Sequence, residues 1–202
     1  MTSEYGAGAL VILGLICIVS LVGLFVAPQL ISRCLFRPYW LVRRAEYGRL
    51  VTSGFAHADV GHLIFNAITF YSFAFSLERY MGTMQFLTLY FAGLLFGNVG
   101  TYFKHRSDPN YSCLGASGAI LAVMFASIVY FPSQRLFIIP IPVPIPAPVF
   151  ALGYLVYSYY SARQARGRIN HDAHLGGALT GLAFVAVTNP GAYRNLLTVA
   201  FG

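Results

Sequence analysis

The stretch Gly115-Ala116-Ser117-Gly118-Ala119-Ile120-Leu121-Ala122-Val123 decides how this chain is read. A polar loop, residues 104–114, ends at its left edge. An apolar run starts with Ser117 and continues to Phe131, where Pro132 stops it. A serine at such a boundary faces water on one side and is rooted in a buried helix on the other. The best partner for it is His174, far downstream, which opens the last apolar run. The rest of the chain then reads as scaffolding for that pair.

The solvent of the scaffold is a bilayer. Of the 202 residues 57% are hydrophobic and only 9% charged, with a mean hydropathy of +0.67. A soluble domain carries about 25% charged residues. Several runs approach the roughly 20 apolar residues that cross a hydrocarbon core, and six spans are read, at about 6–26, 61–77, 85–103, 117–131, 149–162 and 173–188. The expected fold is an all-α, polytopic membrane protein with six transmembrane helices. A single domain over 1–202 is expected, with a core at about 40–188 preceded by the first helix. That first run lacks a basic n-region and an Ala-x-Ala site, so it reads as a retained helix and not a removed signal.

The net charge is +7. The arginines lie in loops without a nucleic-acid-binding motif, so no nucleic acid is expected and anionic headgroups are the simpler partner. Residues 29–61 hold Arg33, Arg37, Arg43, Arg44 and Arg49, interleaved with Leu30, Ile31, Cys34, Leu35, Leu41 and Val42. That mixture predicts short interfacial helices, with Tyr39 and Trp40 as anchors. The three cysteines, Cys17, Cys34 and Cys113, have no CxxC spacing, which argues against a disulfide framework or a zinc site. Residues 133–148 alternate proline with apolar residues and predict an extended connector.

Polar groups at membrane depth are costly and are functional candidates by default. With six alternating spans, the even-numbered ones enter from the same side. They begin with His62, Ser117 and His174, so all three lie at one depth. Asn66, four residues after His62, shares its face, and Thr69 continues it. Gly177, Ala178 and Gly181 share the face of His174, which leaves room for a close helix neighbour. If that neighbour is the fourth span, the imidazole reaches the Ser117 hydroxyl and can take its proton. His62, Asn66 and the free Ser117 amide are candidate donors to an oxyanion. Asp172 sits two residues before His174, the wrong offset to face it on a helix, so it reads as a loop residue and the pair as a dyad. No glutamate adjoins His62 in an HExxH pattern, so no metal or other cofactor is expected. No Asp, Glu, Lys or Arg lies deep in a span, which ranks a transporter or channel last.

These residues carry a family resemblance over about residues 40–188. Arg49-Leu50-Val51-Thr52 with Phe55 and His57 resembles the first-loop signature of the rhomboid intramembrane serine proteases. His62-Leu63-Ile64-Phe65-Asn66 matches the family's HxxxN, and Glu78 through Gly82 its ExxxG. Gly115-Ala116-Ser117-Gly118 matches GxSG. Ala173-His174-Leu175-Gly176-Gly177, followed by Gly181, matches the last motif. GxSG alone is weak; all of these in one order are specific.

The resemblance implies a six-helix rhomboid-like bundle and a serine endopeptidase with Ser117 as nucleophile and His174 as general base. It implies oxyanion contacts from His62, Asn66 and the Ser117 amide, and structural roles for Arg49, Glu78, Gly82, Gly115, Gly118, Gly177 and Gly181. It implies transmembrane protein substrates that enter between the second and fifth helices, where Tyr154, Tyr157, Tyr159 and Tyr160 line the fifth. The alternative is a non-proteolytic rhomboid-like protein that binds membrane clients. Leu121 departs from the pattern, because many members carry an aromatic ring there, stacked on the histidine; weaker orientation of His174 is expected.

The compact core fits a bacterial inner membrane. The family topology puts Arg33, Arg37, Arg43, Arg44, Arg49, Lys104, Arg106, Arg163, Arg166 and Arg168 on the outer side. It leaves Arg79, Arg135 and Arg194 inside, the reverse of the positive-inside rule.

Overall fold

The computed structural model describes residues 6–138, 141–164 and 170–201. Helices appear at all six expected places. They are α1 (Ala7–Phe25), α5 (Val60–Met81), α6 (Thr83–His105), α7 (Ser117–Tyr130), α8 (Ala147–Gln164) and α9 (His171–Thr188). Between the first two of these lie three short helices, α2 (Pro28–Cys34), α3 (Pro38–Arg43) and α4 (Arg49–Thr52), and a 3-10 turn at Ser53–Phe55. A last helix, α10 (Ala192–Phe201), follows α9. By length and composition α1, α5 and α6 are able to cross a membrane.

α7 is the axis of the bundle. Every residue from Gly118 to Val129 is buried. A helix apolar all round must be enclosed by others, and the sequence of α7 has no polar stripe to present to water. Its neighbours come close because they are small at the contact. A Cβ added to Gly177 of α9 would lie 2.1 Å from the Gly118 carbonyl oxygen, and one on Gly181 2.3 Å from that of Ala122. On α6, a Cβ at Gly93 would lie 2.4 Å from Cβ of Ala122. The small-residue stripes therefore seat α6, α7 and α9 backbone against backbone, where dispersion contacts replace the hydrophobic effect that lipid does not supply.

The first helix is tied in by a charge. Glu78, 2% exposed, accepts from the backbone N–H of Gly8 at 2.9 Å and of Ala9 at 2.7 Å, and from the Thr83 hydroxyl at 2.8 Å. Gly6 caps α1 without a side chain, so Glu78 fills the role of a capping carboxylate from another helix. Gly82 ends α5 at φ +84°, which only glycine adopts cheaply.

The segment between α1 and α5 bears out the expectation of short helices. Arg49 donates to the carbonyls of Ser32 and Leu35 and pairs with Glu46, which also binds Arg37. Trp40 Nε1 donates to the Pro109 carbonyl, and Arg43 and Arg44 stack over Tyr39 and Trp40.

Two expectations need correction. Residues 133–148 are not a bare connector: Arg135–Ile138 (β1) and Ile141–Pro146 (β2) pair as an antiparallel hairpin. Each strand is an edge. A proline there costs nothing where its missing N–H would point away from the partner, and alternate prolines meet that condition. Asp172 is not in a loop but in the first turn of α9, where it pairs with Lys104 of α6 at 2.8 Å. Arg166 and Arg168 lie outside the described residues.

Candidate active site

Three helix starts meet in one cavity of about 780 Å³. His62 and Asn66 line it from α5, Ser117 and Leu121 from α7, Tyr154 from α8 and His174 from α9. Of the predicted site residues, Ser117, His174, His62 and Asn66 line this cavity, each from the N-terminal part of its helix.

Each is held by its local sequence. Asp59 caps α5, its carboxylate accepting from the His62 N–H at 2.8 Å. Gly115 has φ +126°, and its amide donates to the Ser53 carbonyl at 3.0 Å. A Cβ there would lie 2.9 Å from Cε1 of His62, so the first glycine of the GxSG stretch makes room for that ring. Ser117 is the first residue of α7, and its amide is one of the first-turn donors that lack an intrahelical acceptor. Asn170 caps α9, accepting from the Ala173 N–H and from the Thr101 hydroxyl, each at 3.1 Å. Its amide donates to Cys113 Sγ at 3.4 Å. The loop before α7, α6 and the start of α9 are thus pinned to one side chain. The three cysteines are free thiols, and burial pushes Cys113 up to about 11.

His174 sits in the second half of the first turn and a half of α9. Its Nδ1 lies 2.9 Å from the hydroxyl of Tyr154. The two rings are 6.4 Å apart and 27° from parallel, and Tyr154 is in turn packed against Phe150 and Phe125. Among the described residues no direct hydrogen bond joins Ser117 to His174. Such bonds are often long without substrate and tighten on binding. Asn66, 4% exposed, has its amide nitrogen 2.8 Å from His57 Nε2.

Tyr154 and Asn170 are the residues that sequence reasoning passed over. Tyr154 is one of four tyrosines in this run, with Tyr157, Tyr159 and Tyr160, and residue type alone does not distinguish them. A signal existed: Phe150, Tyr154, Ser158 and Ala162 repeat every four residues, and a serine in an otherwise apolar stripe marks the inward face. Ser158 and Ala162 are buried, whereas Tyr157, Tyr159 and Tyr160 are exposed.

A multi-helix fold with helices able to cross a membrane, and with a serine, two histidines and an asparagine lining one cavity, defines a polytopic membrane protein with an enclosed polar site. Residues 44–190 match the family model described as the Rhomboid domain, and the chain belongs to the rhomboid family. It is a multi-pass membrane protein, and the family supports protease activity as its general chemistry. The chain is 33% identical over 165 residues to the RHOMBOID-like protein 12, mitochondrial, of Arabidopsis thaliana, covering 72% of this chain and 47% of that one. It is 40% identical over 82 residues to YdcA, a candidate rhomboid protease of Bacillus subtilis, covering 41% and 40%. It is 30% identical over 153 residues to the human presenilin-associated rhomboid-like protein, mitochondrial, covering 72% and 39%. The matches span less than half the length of each of these relatives.

Proposed function

We propose that this chain is a serine endopeptidase that cuts transmembrane segments of other membrane proteins within the bilayer. The observation that carries the reading is the convergence of Ser117, His174, His62 and Asn66 on one cavity. In this mechanism the Ser117 hydroxyl attacks the scissile carbonyl and gives its proton to Nε2 of His174. The oxyanion is met by the Ser117 amide, His62 and the Asn66 amide, each donor contributing about 3 kcal/mol to the transition state. The C–N bond then breaks, and the protonated His174 delivers that proton to the departing amine. Water repeats the sequence on the acyl-serine and frees the enzyme.

For Nε2 to accept, the neutral ring must carry its proton on Nδ1. The Tyr154 oxygen, 2.9 Å from Nδ1, accepts that proton. Tyr154 thus supplies the orientation that Leu121 does not.

All six long helices are read as membrane spans of one domain. α8 turns Val149, Leu152 and Val156 outward, and α9 turns out Leu179 and Val187, as lipid-facing surfaces do. The relatives include mitochondrial and bacterial proteins, and a bacterial inner membrane is the compartment proposed here.

A fluorophosphonate probe tests the reading on the purified chain. It labels the unmodified protein, and labelling is lost in Ser117→Ala and falls at least about a hundredfold in His174→Ala. Equal labelling of Ser117→Ala overturns it. Client binding without cleavage by the unmodified chain would instead favour the non-proteolytic reading.

A further inference from the structure

The chemistry proposed above makes no use of His57, a fully buried imidazole between the 3-10 turn and α5. A ring so enclosed needs a partner for each nitrogen. It has both: Nδ1 lies 2.9 Å from Ser20 Oγ of α1, and Nε2 lies 2.8 Å from Nδ2 of Asn66. The donor roles follow by elimination. An amide nitrogen only donates, so Nε2 accepts. The single proton of the neutral ring is then on Nδ1 and goes to Ser20 Oγ. The Ser20 O–H in turn donates to the Phe55 carbonyl at 3.2 Å. Ser20 Oγ thus accepts from His57 and donates onward, and each nitrogen of His57 has one partner. Burial pushes His57 down to about 4, His62 adds to this and Asp59 opposes it, so the ring is neutral at ordinary pH.

We propose that Ser20, His57 and Asn66 form a positioning relay in which the first helix sets the orientation of an oxyanion donor. An amide NH2 carries two hydrogens. His57 engages one, which fixes the plane of the Asn66 amide and directs the other into the cavity that Asn66 lines. Ser20 fixes His57 in the same way. The relay rests on the reading of Asn66 as an oxyanion donor. It also extends the site beyond the family-matched region, because Ser20 precedes residue 44.

Two substitutions separate the relay from simple packing. A glutamine at position 57 puts its amide oxygen where Nε2 stood and still accepts from Asn66. An asparagine reaches only as far as Nδ1 did. Steady-state cleavage of a single-span substrate by the full chain in lipid vesicles is then compared across variants. His57→Asn and Asn66→Ala are expected to lower kcat by similar factors, about ten to a hundred, with KM changed little. His57→Gln is expected to retain at least about ten times the kcat of His57→Asn. His57→Asn combined with Asn66→Ala is expected to be no worse than Asn66→Ala alone.

If Asn66→Ala loses kcat while His57→Asn keeps it, the relay is overturned and Asn66 keeps its role. If Asn66→Ala keeps full kcat, both readings fall. Equal losses in the Gln and Asn variants reduce His57 to packing and also overturn the relay. Should His57→Asn fail to fold, histidine 15N spectra of the unmodified chain decide, with His57 assigned by its missing signal in His57→Gln. The Nδ1–H tautomer supports the relay, and the Nε2–H tautomer overturns it.

Discussion

In the proposed mechanism the two nitrogens of His174 have different tasks, and only one of them is visible in the sequence. The motif around it and the bare face made by Gly177 and Gly181 pointed to the base and to the helix beside it. What holds Nδ1 was not legible, because that contact comes from a helix whose four tyrosines look alike until their faces are assigned. Leu121 predicts weaker orientation of His174, and a hydroxyl of α8 lies 2.9 Å from its Nδ1. Removing only that oxygen is the cleanest check. Tyr154→Phe keeps the packing on Phe150 and Phe125 but leaves Nδ1–H without an acceptor. Initial-rate kinetics should show kcat lower by about tenfold, some 1.4 kcal/mol of barrier, with KM nearly unchanged. A Tyr154→Phe enzyme with full kcat would return the tyrosine to the role of a packing residue.

At the scale of elements, helix positions were legible to within a few residues because apolar length and proline stops are strong local signals. Serine, histidine and asparagine at helix starts were legible for the same reason, since polarity inside an apolar run stands out. The hairpin of β1 and β2 was not, because proline spacing says that a segment is extended and nothing about which segment pairs with it. The interhelix contacts were legible as small-residue stripes, and the structure gives them magnitudes. A Cβ on Gly177 meets a backbone oxygen at 2.1 Å, where no side chain can rotate away, whereas one on Gly14 in α1 meets nothing within 4 Å. Gly177→Ala must push α9 from α7, at a cost of about 3 kcal/mol for an overpacked contact. Gly14→Ala should leave stability unchanged or raise it by up to about 1 kcal/mol. Thermal unfolding of the two variants in the same micelles reads the contrast, and equal midpoints would mean that the α7–α9 seam yields more easily than its geometry implies.

For the whole molecule, the question is what keeps α1 against a core that the family match begins only at residue 44. Apolar burial is a weak argument in lipid, where leaving the bundle exposes no surface to water. The polar contacts count for more. Glu78 gathers two N–H groups of α1 and one hydroxyl, and Ser20, further along the same helix, binds His57 and Phe55. One end of α1 is therefore fixed by a carboxylate on the helix's positive pole and the other part by a hydroxyl. Glu78→Gln keeps the shape and one accepting oxygen but removes the charge, and should destabilise the fold by about 1–2 kcal/mol. Glu78→Ala leaves the N–H groups of Gly8 and Ala9 buried without an acceptor and should cost about 3 kcal/mol or more. The same loss loosens the helix that carries Ser20, so Glu78→Ala should lower kcat as well as the unfolding midpoint, although Glu78 is far in sequence from Ser117. Adding Ser20→Ala to Glu78→Ala should then change kcat less than Ser20→Ala does alone, because the contact it deletes is already weakened. Fully additive losses would show that the anchor at Glu78 and the contact at Ser20 act independently.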